Sequence, residues 1–210
     1  VLCICYNKVT MSEKNTNKYA IVDLEATSAS STASIIQVGI VIMQNGQVVD
    51  EFASDVNPHQ ELDEHIIHLT GISDQQLAQA PDFSEIARTI FELIEDCIFV
   101  AHNVKFDANL LAEALFMEGF ELRTPRVDTV ELAQVFYPTL EQYKLSHLSK
   151  VLNLDLAQAH TAIEDARATG QLLFHLMDKI ASLPRQTIEM LLTFSDNLLF
   201  ETELVIRDAI

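Results

Sequence analysis

Apolar positions change rhythm along this chain, first as short runs and then as runs alternating with helical spacing. Residues 19–24 are apolar up to a bounding polar turn and read as a buried strand. After the polar loop Ser28-Ala29-Ser30-Ser31-Thr32, residues 35–43 read as a second strand. Asn45-Gly46 is a hairpin signal, because a type I′ turn needs left-handed backbone at both positions. Residues 47–56 therefore return antiparallel as a third strand, broken by Asn57-Pro58. Helical spacing follows in Phe83, Ile86, Ile90, Leu93 and Ile94, with Ser73 and Asp82 as caps. Ile98-Phe99-Val100-Ala101 is a short buried strand. It runs into a helix expected to turn Leu110, Leu111, Ala114, Leu115 and Phe116 inward and to stop at Gly119. Residues 126–129 suggest a last strand, followed by helix from Val130 to about Phe136 and a short helix closing near Asn153. The final core helix starts at a Thr161-x-x-Glu164 capping box and carries Ala166, Leu172, Leu173, Leu176, Met177 and Ile180.

A meander followed by strands alternating with helices predicts an α/β domain with a mixed sheet, spanning residues 18–183. Leu183-Pro184 ends it. Residues 184–210 form an amphipathic helical tail that docks on its own domain or leads into a further one. The first 17 residues stand apart as a disordered N-terminal segment. Val1-Leu2-Cys3-Ile4-Cys5-Tyr6 lacks the charged start and cleavage site of a signal peptide, and residues 1–10 read as upstream sequence or a cloning remnant.

Composition narrows the classes. A chain of 210 residues is long enough for one full core. A hydrophobic share of 49% with mean hydropathy +0.16, and no apolar run of the ~18 residues a membrane helix needs, point to a soluble protein. Three cysteines make no disulfide framework, which fits a reducing cytoplasm. Net charge is −18, from 13 basic and 31 acidic residues, whereas a self-sufficient nucleic-acid binder shows a basic footprint. Either the ligand is not nucleic acid, or metal ions face the phosphate and a partner supplies affinity. No Walker-type glycine loop occurs, so the chain is not an NTPase.

Candidate chemistry begins where the first strand ends. Asp23 and Glu25 are two apart, so their side chains share a face, with Leu24 opposite. Adjacent anions are costly unless a cation lies between them, although a lone pair of this kind usually just ends a strand in solvent. His102 to Asp107 places an acid in the first turn of a helix, as does His160 to Asp165. Each segment alone has a plain structural reading. Together, Asp23, Glu25, Asp107 and Asp165 describe an all-oxygen site suited to Mg²⁺ or Mn²⁺ rather than Zn²⁺. Two such ions about 3.5–4 Å apart suit phosphoryl displacement. A neighbouring histidine, with a pKa near 6.5, suits proton abstraction from water.

Asp23-Leu24-Glu25, His102-Asn103-x-x-Phe106-Asp107 and His160-x-Ala162-x-x-Asp165 resemble, in order and spacing, the three motifs of the DnaQ-like DEDDh 3′–5′ exonucleases. Flanking pieces agree: Ile35-Ile36-Gln37-Val38-Gly39, His68-x-Thr70-Gly71-Ile72, Val127-Asp128-Thr129 and Tyr143-Lys144-Leu145. Within that family the chain most resembles the N-terminal exonuclease domain of Gram-positive DinG-type helicases. The resemblance implies a ribonuclease-H-like mixed five-stranded sheet flanked by helices, with three antiparallel and two parallel strands. It implies two Mg²⁺ or Mn²⁺ ions on Asp23, Glu25, Asp107 and Asp165, with Asp23 bridging and Asp107 acting through water. His160 becomes the general base, and Leu24, Ala26, Thr27, His102, Asn103 and Phe106 the nucleotide contacts. The implied substrate is the 3′ end of single-stranded DNA, cut to nucleoside 5′-monophosphates, with a helicase or polymerase domain as partner. An RNA-directed exoribonuclease and an inactive interaction module are the alternatives. Lys105, Lys144 and Arg167 are candidate phosphate contacts, each set against the plainer reading of a solvated face, which is favoured. One departure stands out: the usual D-x-E-T-T-G reads Asp23-Leu24-Glu25-Ala26-Thr27-Ser28, which puts the nucleotide's seat in question.

Overall fold

Five strands form one sheet, ordered β3-β2-β1-β4-β5, in the computed structural model of the protein, which describes residues 17–30, 32–155, 161–198 and 200–210. Residues 1–16 of the N-terminal segment expected to be disordered, and the expected base His160, lie outside the described residues. Strands β1 (Tyr19–Ala26), β2 (Ile35–Gln44) and β3 (Gln47–Asp55) are the antiparallel meander. Asn45 and Gly46 between β2 and β3 are both left-handed, at φ 52° and 74°. Strands β4 (Ile98–Ala101) and β5 (Arg126–Asp128) then add in parallel on the other side of β1. Three antiparallel and two parallel strands were expected.

The helices sort onto two faces according to the two-residue period of β1. Ala20, Val22 and Leu24 pack with α3 (Phe83–Ile94) and α4 (Val104–Met117). Tyr19 and Ile21 face the other way, towards α5 (Thr129–Phe136), α6 (Leu145–Leu152) and α7 (Ala162–Ala181). Two short helices, α1 (Glu64–Thr70) and α2 (Asp74–Leu77), precede α3. Helix α7 lies unusually near the sheet. Ala162, Ala166 and Gly170, spaced by four, present almost no side chain, and a Cβ on Gly170 would stand 2.5 Å from Met43 Sδ. Residues 185–210 fold back as α8 (Arg185–Phe194), a 3₁₀ turn and α9 (Glu203–Asp208). Ile188, Val205 and Ile206 join the α7 side of the core. Glu201 covers the outer edge of β5: its N–H donates to Arg126 O at 2.9 Å, and its carboxylate accepts from Arg126 N at 2.8 Å. No described helix is long and apolar enough to cross a membrane.

Two sequence expectations need correction. Phe116 is 66% exposed rather than inward, because the buried stripe of α4 runs through Val104, Leu111 and Leu115, and the next residue is turned ~100° off it. Phe120 supplies the inward aromatic instead, stacking on Phe91 with ring centres 5.1 Å apart. The reciprocal capping box at α7 does not form. Thr161 holds the N-cap position in extended backbone, but Glu164 turns to Arg167. A box interaction appears at α3, where Asp82 N donates to Glu85 Oε2 at 2.8 Å.

Candidate functional site

Asp23 and Glu25 continue the Tyr19–Ile21 face of β1 beyond its apolar part, and so point towards the start of α7. Asp165, in the first turn of that helix, meets them there. One carboxylate oxygen from each of Asp23, Glu25 and Asp165 lies within 4.8 Å of the other two. Asp107 arrives from α4, on the opposite face, and is almost fully buried. Its Oδ1 accepts the N–H of Leu24 at 3.0 Å, which ties the first turn of α4 to the backbone between the two β1 acids. The β1–β2 register slips between Glu25 and Ala26, a bulge that ends regular pairing right after the acids.

These acids disturb one another. Burial, and then the charges of Asp107, Asp165 and Glu25, hold the Asp23 carboxyl well above its usual range. Burial and Asp165 push Glu25 up to about 7. Asp107 is pushed up to about 8, mainly by burial, with Glu25 and Asp128 adding and its backbone hydrogen bonds opposing. The charges that act on Asp23 and Glu25 are other carboxylates, so the centre repels itself. A cluster of carboxylate oxygens that repel one another fits a hard divalent cation, which would neutralise it and be satisfied by oxygen alone.

The surrounding turns are held tightly. Asn103 takes a left-handed φ of 77°, and its N–H donates to Asp128 Oδ1 at 3.0 Å. The same oxygen accepts from Val130 N at 2.8 Å, so one carboxylate pins the starts of α4 and α5. His102 has both ring nitrogens engaged inside the protein. Nε2 lies 2.7 Å from Tyr143 O, an acceptor only, so Nε2 carries the proton. Nδ1 faces Thr129 Oγ1 at 2.9 Å, and burial lowers the His102 pKa and favours the neutral ring. His102 thus anchors the Tyr143 loop.

The other residues expected at the nucleotide divide by position. Leu24 and Ala26 are buried on the α3–α4 face. Thr27 closes the loop to β2: its Oγ1 accepts from Ser34 N at 3.0 Å and its N–H donates to Ser34 O at 2.9 Å. Asn103 and Phe106, with Lys105 and Ser30, line a cavity of about 290 Å³ beside that loop. Ser28 has ordinary backbone. The left-handed positions outside glycine among the described residues are Asn45, His59, Asn103, Asn153 and Phe200, so serine in place of glycine adds no strain. Arg167 is not available to a phosphate as expected, because it clamps Glu51 through Nε (2.8 Å) and Nη2 (2.6 Å) and also pairs with Glu164.

Sequence reading gave no role to the residues that seat α7. Gly39 lies opposite Asp23 in the β1–β2 register, and a Cβ there would come 2.2 Å from the carbonyl carbon of Ala162. Gln37, opposite Glu25, accepts the Ala162 N–H at 2.9 Å. The available signal was the pattern Gln37-x-Gly39, a polar and a missing side chain on one face of a strand otherwise filled with apolar residues.

Carboxylates converging from both faces onto the end of the central strand of a three-antiparallel, two-parallel sheet define a ribonuclease-H-like domain with an acidic centre. The chain belongs to the exonuclease family described as RNase T, which it matches over residues 20–173. It is 38% identical over 185 residues to the 3′-5′ exonuclease DinG of Staphylococcus aureus strain USA300. That alignment takes in 87% of this chain but 21% of the relative, so the chain spans about a fifth of the length of such relatives. Solved structures share the fold. Exonuclease X in complex with 5′ overhanging duplex DNA has TM-score 0.63 at 21% identity, over 76% of this chain and 91% of that one. E. coli exonuclease I in complex with an oligonucleotide has TM-score 0.70 at 16% identity, over 85% and 44%. The nuclease domain of 3′hExo, a DEDDh family member bound to rAMP, has TM-score 0.67 at 16% identity, over 79% and 94%.

Proposed function

We propose that this chain is the 3′–5′ exonuclease part of a DinG-type protein, that it works in the cytoplasm, and that it hydrolyses the terminal phosphodiester of single-stranded DNA to release nucleoside 5′-monophosphates. Asp23, Glu25, Asp107 and Asp165 would hold two Mg²⁺ or Mn²⁺ ions, and His160 would take the proton of the attacking water. The observation that carries this reading is the meeting of Asp23, Glu25 and Asp165 within 4.8 Å, at a spot where Glu25 resists ionisation up to about pH 7. A bound divalent cation supplies the positive charge that lets these acids ionise together and that offsets charge on the phosphate. The protein's own part is to position. With a cation held by these acids, their placement would set where the scissile phosphate lies, while Asn103 and Phe106 border the cavity proposed for the terminal nucleotide. Net charge −18 gives the isolated domain little hold on DNA, so the helicase part of the longer protein delivers the strand.

Purified chain with Mn²⁺ should shorten a 5′-labelled DNA oligonucleotide stepwise from its 3′ end, faster than a matched RNA. Asp23→Ala should abolish the ladder. Equal activity in that variant, or cleavage from the 5′ end, would defeat the assignment.

A further inference from the structure

Helix α7 must stop at one particular distance from β1 for Asp165 to reach Asp23 and Glu25. The first-turn amides of a helix have no partner within it. In α7 the N–H of Ala162 is taken by Gln37 Oε1 at 2.9 Å. The same side chain donates from Nε2 to Asp55 Oδ1 at 2.7 Å, and Gln76 Nε2 donates to the other oxygen of Asp55 at 2.7 Å. A carboxylate accepts and never donates when ionised, so Asp55 fixes the Gln37 amide with its NH₂ outward and its oxygen towards α7. A flipped amide would set N–H against N–H. The row Gln76–Asp55–Gln37 therefore ends on the backbone three residues before Asp165, and Gln37 itself lies across from Glu25 in the sheet.

We propose that Gln37 is a positioning residue for the metal-binding acids, oriented by Asp55 and Gln76. It sets the start of α7, so that the Asp165 carboxylate closes on Asp23 and Glu25. This rests on the reading of those acids as cation ligands. Gly39 allows the approach, and Gln37 fixes its register.

The test is uptake of Mn²⁺ by the whole chain without nucleic acid, followed by the loss of the free-ion electron paramagnetic resonance signal. Partners that orient metal ligands are typically worth ~10–100-fold in affinity. Gln37→Met should weaken Mn²⁺ binding about 10-fold or more, and Asp55→Leu should weaken it in the same direction by freeing the amide to flip. Ile180→Val, which loosens the far end of α7, should keep wild-type affinity and so separates positioning from general loss of stability. If Gln37→Met does not fold, Asp55→Leu against Ile180→Val carries the comparison. Wild-type affinity in Gln37→Met or Asp55→Leu, with Asp23→Ala unable to bind, would overturn the positioning role and leave the cation site standing. A wild-type chain that takes up no Mn²⁺ would overturn the cation site and the positioning role with it.

Discussion

Removing divalent cations should make the stability of this protein fall as pH rises, and Glu25 allows the size of the fall to be worked out. Its pKa is 4.5 in an unfolded chain and about 7 in the folded one. Between those values the folded state holds more protons than the unfolded state, so stability decreases with pH. The contribution is fully present below 4.5 and is lost as pH rises through about 7. That rise corresponds to about 3 kcal/mol. For a chain of this length each kcal/mol moves the melting temperature by ~2–4 °C, giving about 6–12 °C. Asp23 and Asp107 change in the same direction and steepen the fall. The net charge of −18 contributes its own repulsion, so the wild-type curve alone is a poor measure. Glu25→Gln is the better reference, since its amide cannot ionise. In EDTA the two proteins should melt together near pH 4.5–5 and diverge above it, the variant becoming the more stable by up to about 10 °C at pH 8. Saturating Mg²⁺ should raise wild type at pH 8 far more than at pH 5, and raise the variant less. Melting curves in EDTA from pH 4.5 to 8.5 decide the matter. A constant gap between wild type and variant across that range would refute the reasoning.

Two further outcomes follow from the same geometry. Gly39→Ala should push a methyl into the Ala162–Ile163 backbone, 2.2–2.3 Å away, and force α7 to retreat. Overpacking of this kind costs ~1–3 kcal/mol and a misplacement near 1 Å costs ~10²-fold in rate, read by melting temperature and single-turnover cleavage. His102→Leu should strand the Tyr143 carbonyl and lower stability by ~1–3 kcal/mol, measured by urea unfolding, while leaving Mn²⁺ affinity unchanged. A loss of Mn²⁺ binding in that variant would place His102 at the cation instead of at the loop.

Most of the sheet was legible because its signals are local. Alternation along β1, the Asn45-Gly46 turn and the left-handed stops at Gly119 and Asn153 each act within a few residues, and each appears where the sequence put it. The convergence of Asp23, Glu25 and Asp165 was legible through motif spacing, and the side-chain period of two already set both β1 acids on one face. What could not be read was contact between distant segments. Nothing near His102 announces that its ring will hold a carbonyl 41 residues on, and a histidine in that motif was expected at the nucleotide. Arg167 follows the same logic. Its charge near Asp165 suggested a phosphate, but Glu51, across the sheet on β3, had a prior claim on it.

Acids that repel one another must be held by something stiffer than their own side chains, and the structure holds them through backbone amides, a close strand-to-helix gap and one side-chain clamp. Asp107 is restrained by the Leu24 amide, and Leu24 is the residue between the two β1 acids. Asp165 is restrained through α7, which is fixed to the sheet by Gln37 on its first amide, by the gap at Gly39, and by Arg167 gripping Glu51. The small residues Ala162, Ala166 and Gly170 let that helix come close enough for a short acidic side chain to reach the strand. A longer residue at these positions would push α7 off the sheet and carry Asp165 away from β1. Replacing Asp165 by Glu therefore differs from restoring a charge: the extra methylene overshoots a distance that the sheet and α7 have already set, because precise placement of the supporting backbone is what the reaction needs.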